Sequence, residues 1–259
     1  MNKKNLLVRY DKDLRLRIMY PEARKEITKD VVRIIRQAPG MNVVSFTFAN
    51  ESKLHDVIHR EVDYFLPFAQ PFTWKVYDHD LLPNLKDELV THGFTPDDDP
   101  AAVMVLDVRN APVALQLSQQ AVQAEIRRID RLEGLQDIIY VLDKVWGGHN
   151  SWVNDRLGGH LQIPGYLSVY AAYVNDEPAS IAWTYFPGRQ FATLFAGSTL
   201  PEYRKQGLYT SLLETRLREI RERGYRYAVV EAGSMSKPIV AKHGFQHLTT
   251  VYDYEWKGN

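Results

Sequence analysis

The stretch "STLPEYRKQGLYTSLLETRL", residues 198–217, sets a proline, then Arg204 and Lys205, then Gly207 directly before a run of helical periodicity. Leu208, Leu212, Leu213, Leu217 and Ile220 recur at helical spacing, with the pairs Glu214/Arg218 and Glu219/Arg223 expected on the solvent side. Gly224 marks the stop. A helix start carries unpaired backbone N–H groups and the positive end of the helix dipole, so it attracts anions. A glycine there lets a ligand approach the backbone, because no Cβ stands in the way. The stretch therefore predicts a loop that holds a diphosphate across the amides from Gln206 through Leu208 and Tyr209 to Thr210, with Arg204 and Lys205 adding charge. It is not a P-loop, since no Gly-Lys-[Ser/Thr] follows, and a single glycine does not make a dinucleotide fingerprint.

Working outward from this loop, the second half alternates in a definite order. Residues 124–129 ("AEIRRI") read as a strand, and 132–147 as a helix with Leu135, Ile138, Ile139 and Leu142 on one face. "YLSVYAAYV", a turn at Asn175-Asp176, "PASIAWTYF" and "QFATLFAGST" read as three consecutive antiparallel strands leading into the loop. After the helix come a buried strand at 225–232, a short helix that Ser236 is suited to cap, and a last strand. The expected order is β-α-β-β-β-α-β-α-β.

The tripeptide His-Gly-Phe occurs twice, at His92-Gly93-Phe94 and His243-Gly244-Phe245, each time after a short helical stretch and before a strand-like run. This points to two related units. Residues 109–123 show no clear period and read as a linker or a crossing strand, which places the boundary near residue 118: a first unit at 1–118 and a second at 119–259. The first unit has no Arg-x-x-Gly at the corresponding distance upstream. Lys53 stands there, in "NESKLHDVIH", which lacks glycine; Asn50 can cap that helix, but Glu51 would repel phosphate.

Composition excludes several classes. Lys plus Arg and Asp plus Glu number 32 each, so the basic excess of a nucleic-acid binder is missing. No cysteine is present, which removes disulfides, thiolate metal sites and a cysteine nucleophile, and fits a cytoplasmic protein. Neither a signal-peptide core nor a membrane-spanning apolar run occurs, so no membrane partner is expected. No His/Asp/Glu cluster has metal-ligand spacing, and His92 and His243 read as packed turn residues, so no metal is expected. "DDD" at 97–99 reads as a solvated turn, and the aromatic residues Tyr166, Tyr170, Tyr173, Trp183 and Tyr185 as core.

The run from Thr199 to Phe245 resembles the cofactor core of the GNAT N-acetyltransferase superfamily. The family's R/Q-x-x-G-x-G/A loop falls on Arg204, Gly207 and Tyr209, with tyrosine replacing the last small residue. "TLPEYR-x-x-G-x-Y" is similar to one bacterial subgroup, in which the first half resembles a second, degenerate GNAT unit; "FTWKVYDHDLLPNLKDELVTHGF" (72–94) fits that pattern.

The resemblance implies an α/β (α+β) fold of two GNAT-like units, each with a mixed, mostly antiparallel central sheet flanked by helices. It also implies acetyl-CoA or another acyl-CoA as acyl donor, with the pantetheine arm between the strands ending at Thr199 and Glu231. An amine acceptor, small molecule or peptide, would attack the thioester directly, and the chain would act as a monomer or homodimer. The family's usual strand glutamate is missing, which leaves Glu231 as the nearest carboxylate for the base, with His160, Asp155 and Tyr185 as further candidates. The usual acid tyrosine is Val240, which leaves Ser236 or Ser234 as hydroxyl donors, Ser234 beside the cofactor. The alternative reading is a non-catalytic acyl-CoA-binding or regulatory protein that kept the loop and lost the chemistry.

Overall fold

The computed structural model describes residues 2–36, 40–110, 123–188 and 190–258. The chain forms two compact units, Met1–Met104 with Glu231–Asn259, and Val105–Val230. The boundary expected near residue 118, and most of the expected linker, lie outside the described residues. The compact units do not follow a single cut of the chain, and the reason is the last strand, described below.

In the first unit, α1 (Lys3–Tyr10) precedes an antiparallel meander of β1 (Ala23–Ile27), β2 (Val31–Arg36) and β3 (Asn42–Thr47). Helix α2 (Leu54–Phe65) then carries the chain to β4 (Phe72–Tyr77), which lies parallel to β3. Next come α3 (Leu85–Thr91), the short β5 (Thr95–Pro96) and β6 (Ala101–Asp107). The core gathers Leu54, Ile58 and Phe65 of α2, Phe72 and Trp74 of β4, and Leu85 and Leu89 of α3.

In the second unit, β7 (Glu125–Ile129), α4 (Leu135–Trp146) and α5 (Trp152–Leu161) lead to β8 (Leu167–Val174), β9 (Glu177–Tyr185) and β10 (Phe191–Thr199). Strands β7 to β10 are antiparallel throughout. Asn175 and Asp176 both take left-handed φ, 51° and 64°, which makes the two-residue hairpin turn between β8 and β9. Helix α6 (Leu208–Glu222) crosses to β11 (Tyr227–Ala232), whose start is parallel to β10. The five apolar positions predicted for α6 are all buried.

The same order, three antiparallel strands, a helix and a parallel strand, thus appears in β1-β2-β3-α2-β4 and in β8-β9-β10-α6-β11. The chain then makes α7 (Lys237–Lys242) and β12 (Gln246–Trp256). β12 pairs antiparallel with β4, from Val251/Tyr77 to Trp256/Phe72, and buries Tyr254 and Trp256 in the first unit's core. The C-terminal strand therefore belongs with the N-terminal residues. Both His-Gly-Phe tripeptides close a helix. Gly93 and Gly244 have φ of 85° and 88°, and Phe94 and Phe245 N–H bond back to Leu89 and Val240 carbonyls at 3.0 and 3.3 Å. That is a left-handed glycine stop with a buried aromatic behind it.

Three local expectations differ. Helix α5 was not anticipated, because Gly158-Gly159 and its polar residues dilute the apolar spacing. Glu219 is buried rather than on the wet side: it accepts from Ser168 Oγ at 2.7 Å and pairs with Arg223 and Arg128 at 2.7 and 3.2 Å. Asn50 does not cap backbone; a three-residue turn, Glu51–Lys53, precedes α2, and Ser52 Oγ donates to Asn50 Oδ1 at 2.9 Å. Among the described residues no helix is long and apolar enough to cross a membrane.

Candidate functional site

Strand β10 carries the first element of the site. Its register against β9 runs Thr193/Tyr185, Leu194/Thr184 and Phe195/Trp183, then jumps to Ser198/Ile181, so one extra residue sits in β10. Ala196 takes a left-handed φ of 49° in this bulge. On its other side β10 pairs with β11 only through Phe191–Thr193 against Tyr227–Val229. From Leu194 to Thr199, β10 has no partner on β11, which leaves a strand edge open to an added extended ligand.

The loop that follows gives the second element. Gly207 is the N-cap of α6 with φ 87°, and no side chain caps the helix. The first helical bond is Ser211 N–H to the Gly207 carbonyl, 3.0 Å. Among the described residues, the Gln206, Gly207, Leu208 and Tyr209 amides have no hydrogen-bond acceptor in the protein. Four consecutive unpaired N–H groups at a helix start form an anion cradle. Lys205 is held left-handed at φ 63°, and both Arg204 and Lys205 are exposed. Arg204 Nε donates to the Thr199 carbonyl at 3.2 Å, which ties the loop to the end of β10 and leaves the other guanidinium N–H groups for a ligand. Thr199 Oγ1 shares a hydrogen bond with Ser180 Oγ, 2.7 Å. Gln206 Nε2 donates to the Glu202 carbonyl at 2.7 Å, so its side chain braces the loop. Leu208 is buried and anchors the helix, and Thr210 is half-buried in the first turn. Thr199 and residues 204–210, the positions singled out in the sequence, thus lie together at the end of β10 and the start of α6.

Ser234, Glu231 and Ser236 belong to the other compact unit. Ser234 N–H and Oγ both donate to Asp99, each at 3.1 Å from Oδ2. Asp99 is therefore a clasp and not part of a merely solvated turn, and the Ser234 hydroxyl is committed to it. Glu231 is exposed and ion-paired with Lys75 at 3.1 Å; Asp253 pairs with the same ammonium at 3.0 Å. Burial alone would lower the Lys75 pKa, but the two carboxylates hold it above its ordinary range. Ser236 sits at the N-cap of α7 without capping it; its Oγ donates to the Gly233 carbonyl at 3.4 Å. Val240 is fully buried and carries no proton.

The second unit holds a group the sequence named only in passing. His160, on α5, is 4% exposed, and its Nδ1 shares a 2.9 Å hydrogen bond with the Tyr185 hydroxyl. Tyr166 packs edge-on against His160, and Phe195, exposed at the bulge of β10, packs edge-on against Tyr185. A half-buried phenol backed by a buried imidazole thus stands beside the bulged strand. Asp155, the other candidate, is exposed.

Residues 114–233 match the family model of the acetyltransferase (GNAT) domain. No curated protein matches the chain. Among solved structures, a GCN5-related N-acetyltransferase from Kribbella flavida is similar at TM-score 0.71 and 13% identity, over 92% of this chain and 91% of that one. A functionally unknown conserved protein from Staphylococcus epidermidis is similar at TM-score 0.69 and 14% identity, over 96% and 98%. A tandem GNAT protein from the clavulanic acid biosynthesis pathway is similar at TM-score 0.62 and 12% identity, over 94% and 86%. At such identities these likenesses speak for the fold. The open strand edge and the uncapped α6 both lie within the stretch that matches the acetyltransferase (GNAT) domain model.

Proposed function

We propose that this protein is a cytoplasmic N-acetyltransferase that moves an acetyl group from acetyl-CoA to an amine by direct attack, with one cofactor site at Thr199 and residues 204–210. The observation that carries this reading is the run of four unpaired amides, Gln206 to Tyr209, at the start of α6 beside two exposed cations. These residues fit a diphosphate: the donors are main-chain, the glycine leaves them accessible, and Arg204 and Lys205 balance charge. The unpaired edge of β10 fits the amide-bearing arm of the same molecule. Bound acetyl-CoA supplies the thioester carbonyl.

The chain must then take a proton from the acceptor, since an alkylammonium titrates near 10.4. We place that role on Tyr185 backed by His160: with Nδ1 accepting, the phenol passes its proton to the ring as it receives one from the ammonium. Glu231, the base expected from the sequence, is the second candidate, its carboxylate already shared with Lys75. A leaving thiolate, of parent pKa about 8.5, needs little protonation, and the Ser236 hydroxyl is the donor we would test for it.

The first half, 1–118, is read as a GNAT-like unit without a cofactor site, because Glu51–Lys53 replaces the glycine loop before α2. The test is acetyl-CoA turnover over a panel of primary amines and peptides, followed by thiol release. Acyl transfer to at least one class that disappears with Tyr185→Phe supports the reading. Tight acetyl-CoA binding with no transfer to any amine favours the non-catalytic alternative.

A further inference from the structure

A second chemically distinct cluster lies in the first unit, between α2 and the end of α3. His92 is the C-cap of α3, and its Nδ1 is 2.7 Å from the Glu88 carbonyl oxygen. A carbonyl only accepts, so Nδ1 carries the proton, and in the neutral ring the lone pair is on Nε2. That Nε2 is buried and has no hydrogen-bond partner among the described residues, while the side chain as a whole is 10% exposed. A buried acceptor without a donor is unusual, because such groups are nearly always paired. A backbone carbonyl holding Nδ1–H, with Nε2 free, is also how a metal-ligating histidine is oriented.

Two more potential ligands lie beside the His92 ring. His55, exposed on α2, packs its ring against His92 with centroids 4.7 Å apart, and the Glu88 carboxylate is 3.9 Å from His92 Nδ1. One ligand atom from each of His55, Glu88 and His92 lies within 4.8 Å of the other two. Tetrahedral bonds of 2.0–2.1 Å would set ligand atoms roughly 3.3 Å apart, a contraction that rotation of the exposed His55 and half-buried Glu88 side chains can provide. Two imidazoles and one carboxylate suit Zn2+ and its neighbours, whereas Mg2+ and Ca2+ prefer oxygen ligands throughout. The chain spacing hides this set, since His55 comes from a different helix than Glu88 and His92.

We propose that His55, Glu88 and His92, the last through Nε2, bind one divalent transition-metal ion of the Zn2+ type and tie α2 to α3. The proposal is independent of the acetyltransferase reading.

Metal-stripped full-length protein would be titrated with Co2+, following visible absorption, and then with Zn2+ in competition. The expected result is one equivalent of tetrahedral Co2+, displaced by Zn2+ and untouched by excess Mg2+, with a rise in Tm on Zn2+ addition. His55→Ala and Glu88→Gln should each weaken binding at least tenfold while leaving the metal-free Tm near the parent value. His59→Ala, one turn further along α2, should bind as the parent does. Absence of one-equivalent binding would overturn the proposal. So would binding that survives both His55→Ala and Glu88→Gln, since the ion would then sit elsewhere.

Discussion

Tyr209 fills the space that a side chain at Gly197 would need: a Cβ on Gly197 would come within 2.5 Å of Tyr209 Cε2. Gly197 has no left-handed φ, so the glycine in the bulge of β10 answers to space and not to backbone conformation. Gly197 thus leaves room for the Tyr209 ring. Burial raises the Tyr209 hydroxyl pKa, while the fully buried Arg216 guanidinium pulls it the other way. Arg216 is itself lowered by burial, and it donates to the Leu212 and Trp183 carbonyls at 3.3 and 3.4 Å.

Gly197→Ala should therefore destabilise the protein by about 1–3 kcal/mol, the range for overpacking. In the Tyr209→Ala background the same change should cost much less. A denaturant-melt double-mutant cycle measures the coupling, and additive effects would separate the two residues.

The base assignment separates by kinetics. Tyr185→Phe and His160→Gln should each lower the acetyl-transfer rate by about 10²–10⁴-fold, with acetyl-CoA affinity unchanged. Glu231→Gln should leave most of the rate, because Lys75 already holds that carboxylate. The reverse ranking would return the role to Glu231.

In the first unit, Arg33 and Glu61 form a two-pronged ion pair, 2.5 Å from Nε to Oε2 and 2.8 Å from Nη2 to Oε1, with Glu61 fully buried. Removing Glu61 leaves Arg33 its 3.2 Å pair with Glu26, whereas removing Arg33 leaves the Glu61 carboxylate buried without its partner. Arg33→Met should thus cost about 3–5 kcal/mol in equilibrium unfolding. A loss below about 1 kcal/mol would mean that water or another group takes over.

Acid should act on the same unit through Asp11. Burial alone would raise its pKa, but its bonds to His79 (3.0 Å) and Arg15 (2.8 Å) bring it below the ordinary carboxyl value. A depressed carboxyl adds stability above its unfolded pKa and loses it as pH falls through the folded one. Stability measured between about pH 5 and 2 should fall less steeply in Asp11→Asn than in the parent.

Much of the second unit was legible because its signals are local. The apolar spacing of α6, the Asn175-Asp176 turn and Gly207 each depend on neighbours in sequence, and each took the expected form. Glu231 and Ser234 were harder, because their partners, Lys75 and Asp99, are distant in the chain. The same holds for the exchange that seats β12 on β4, for the bond between His160 and Tyr185, and for the meeting of His55 with His92. Periodicity reports which face of an element is buried; it carries no information on which distant strand or side chain covers it.

Isothermal calorimetry of the full chain with acetyl-CoA tests the central claim most directly. The account predicts one molecule bound per chain and complete loss in Gly207→Glu, whose side chain would place bulk and negative charge on the amide cradle at a position with φ 87°. Arg204→Ala should weaken the same binding by about 1.5–3 kcal/mol, the range for a charge-assisted hydrogen bond. Two molecules per chain, or undiminished affinity in a folded Gly207→Glu protein, would contradict it.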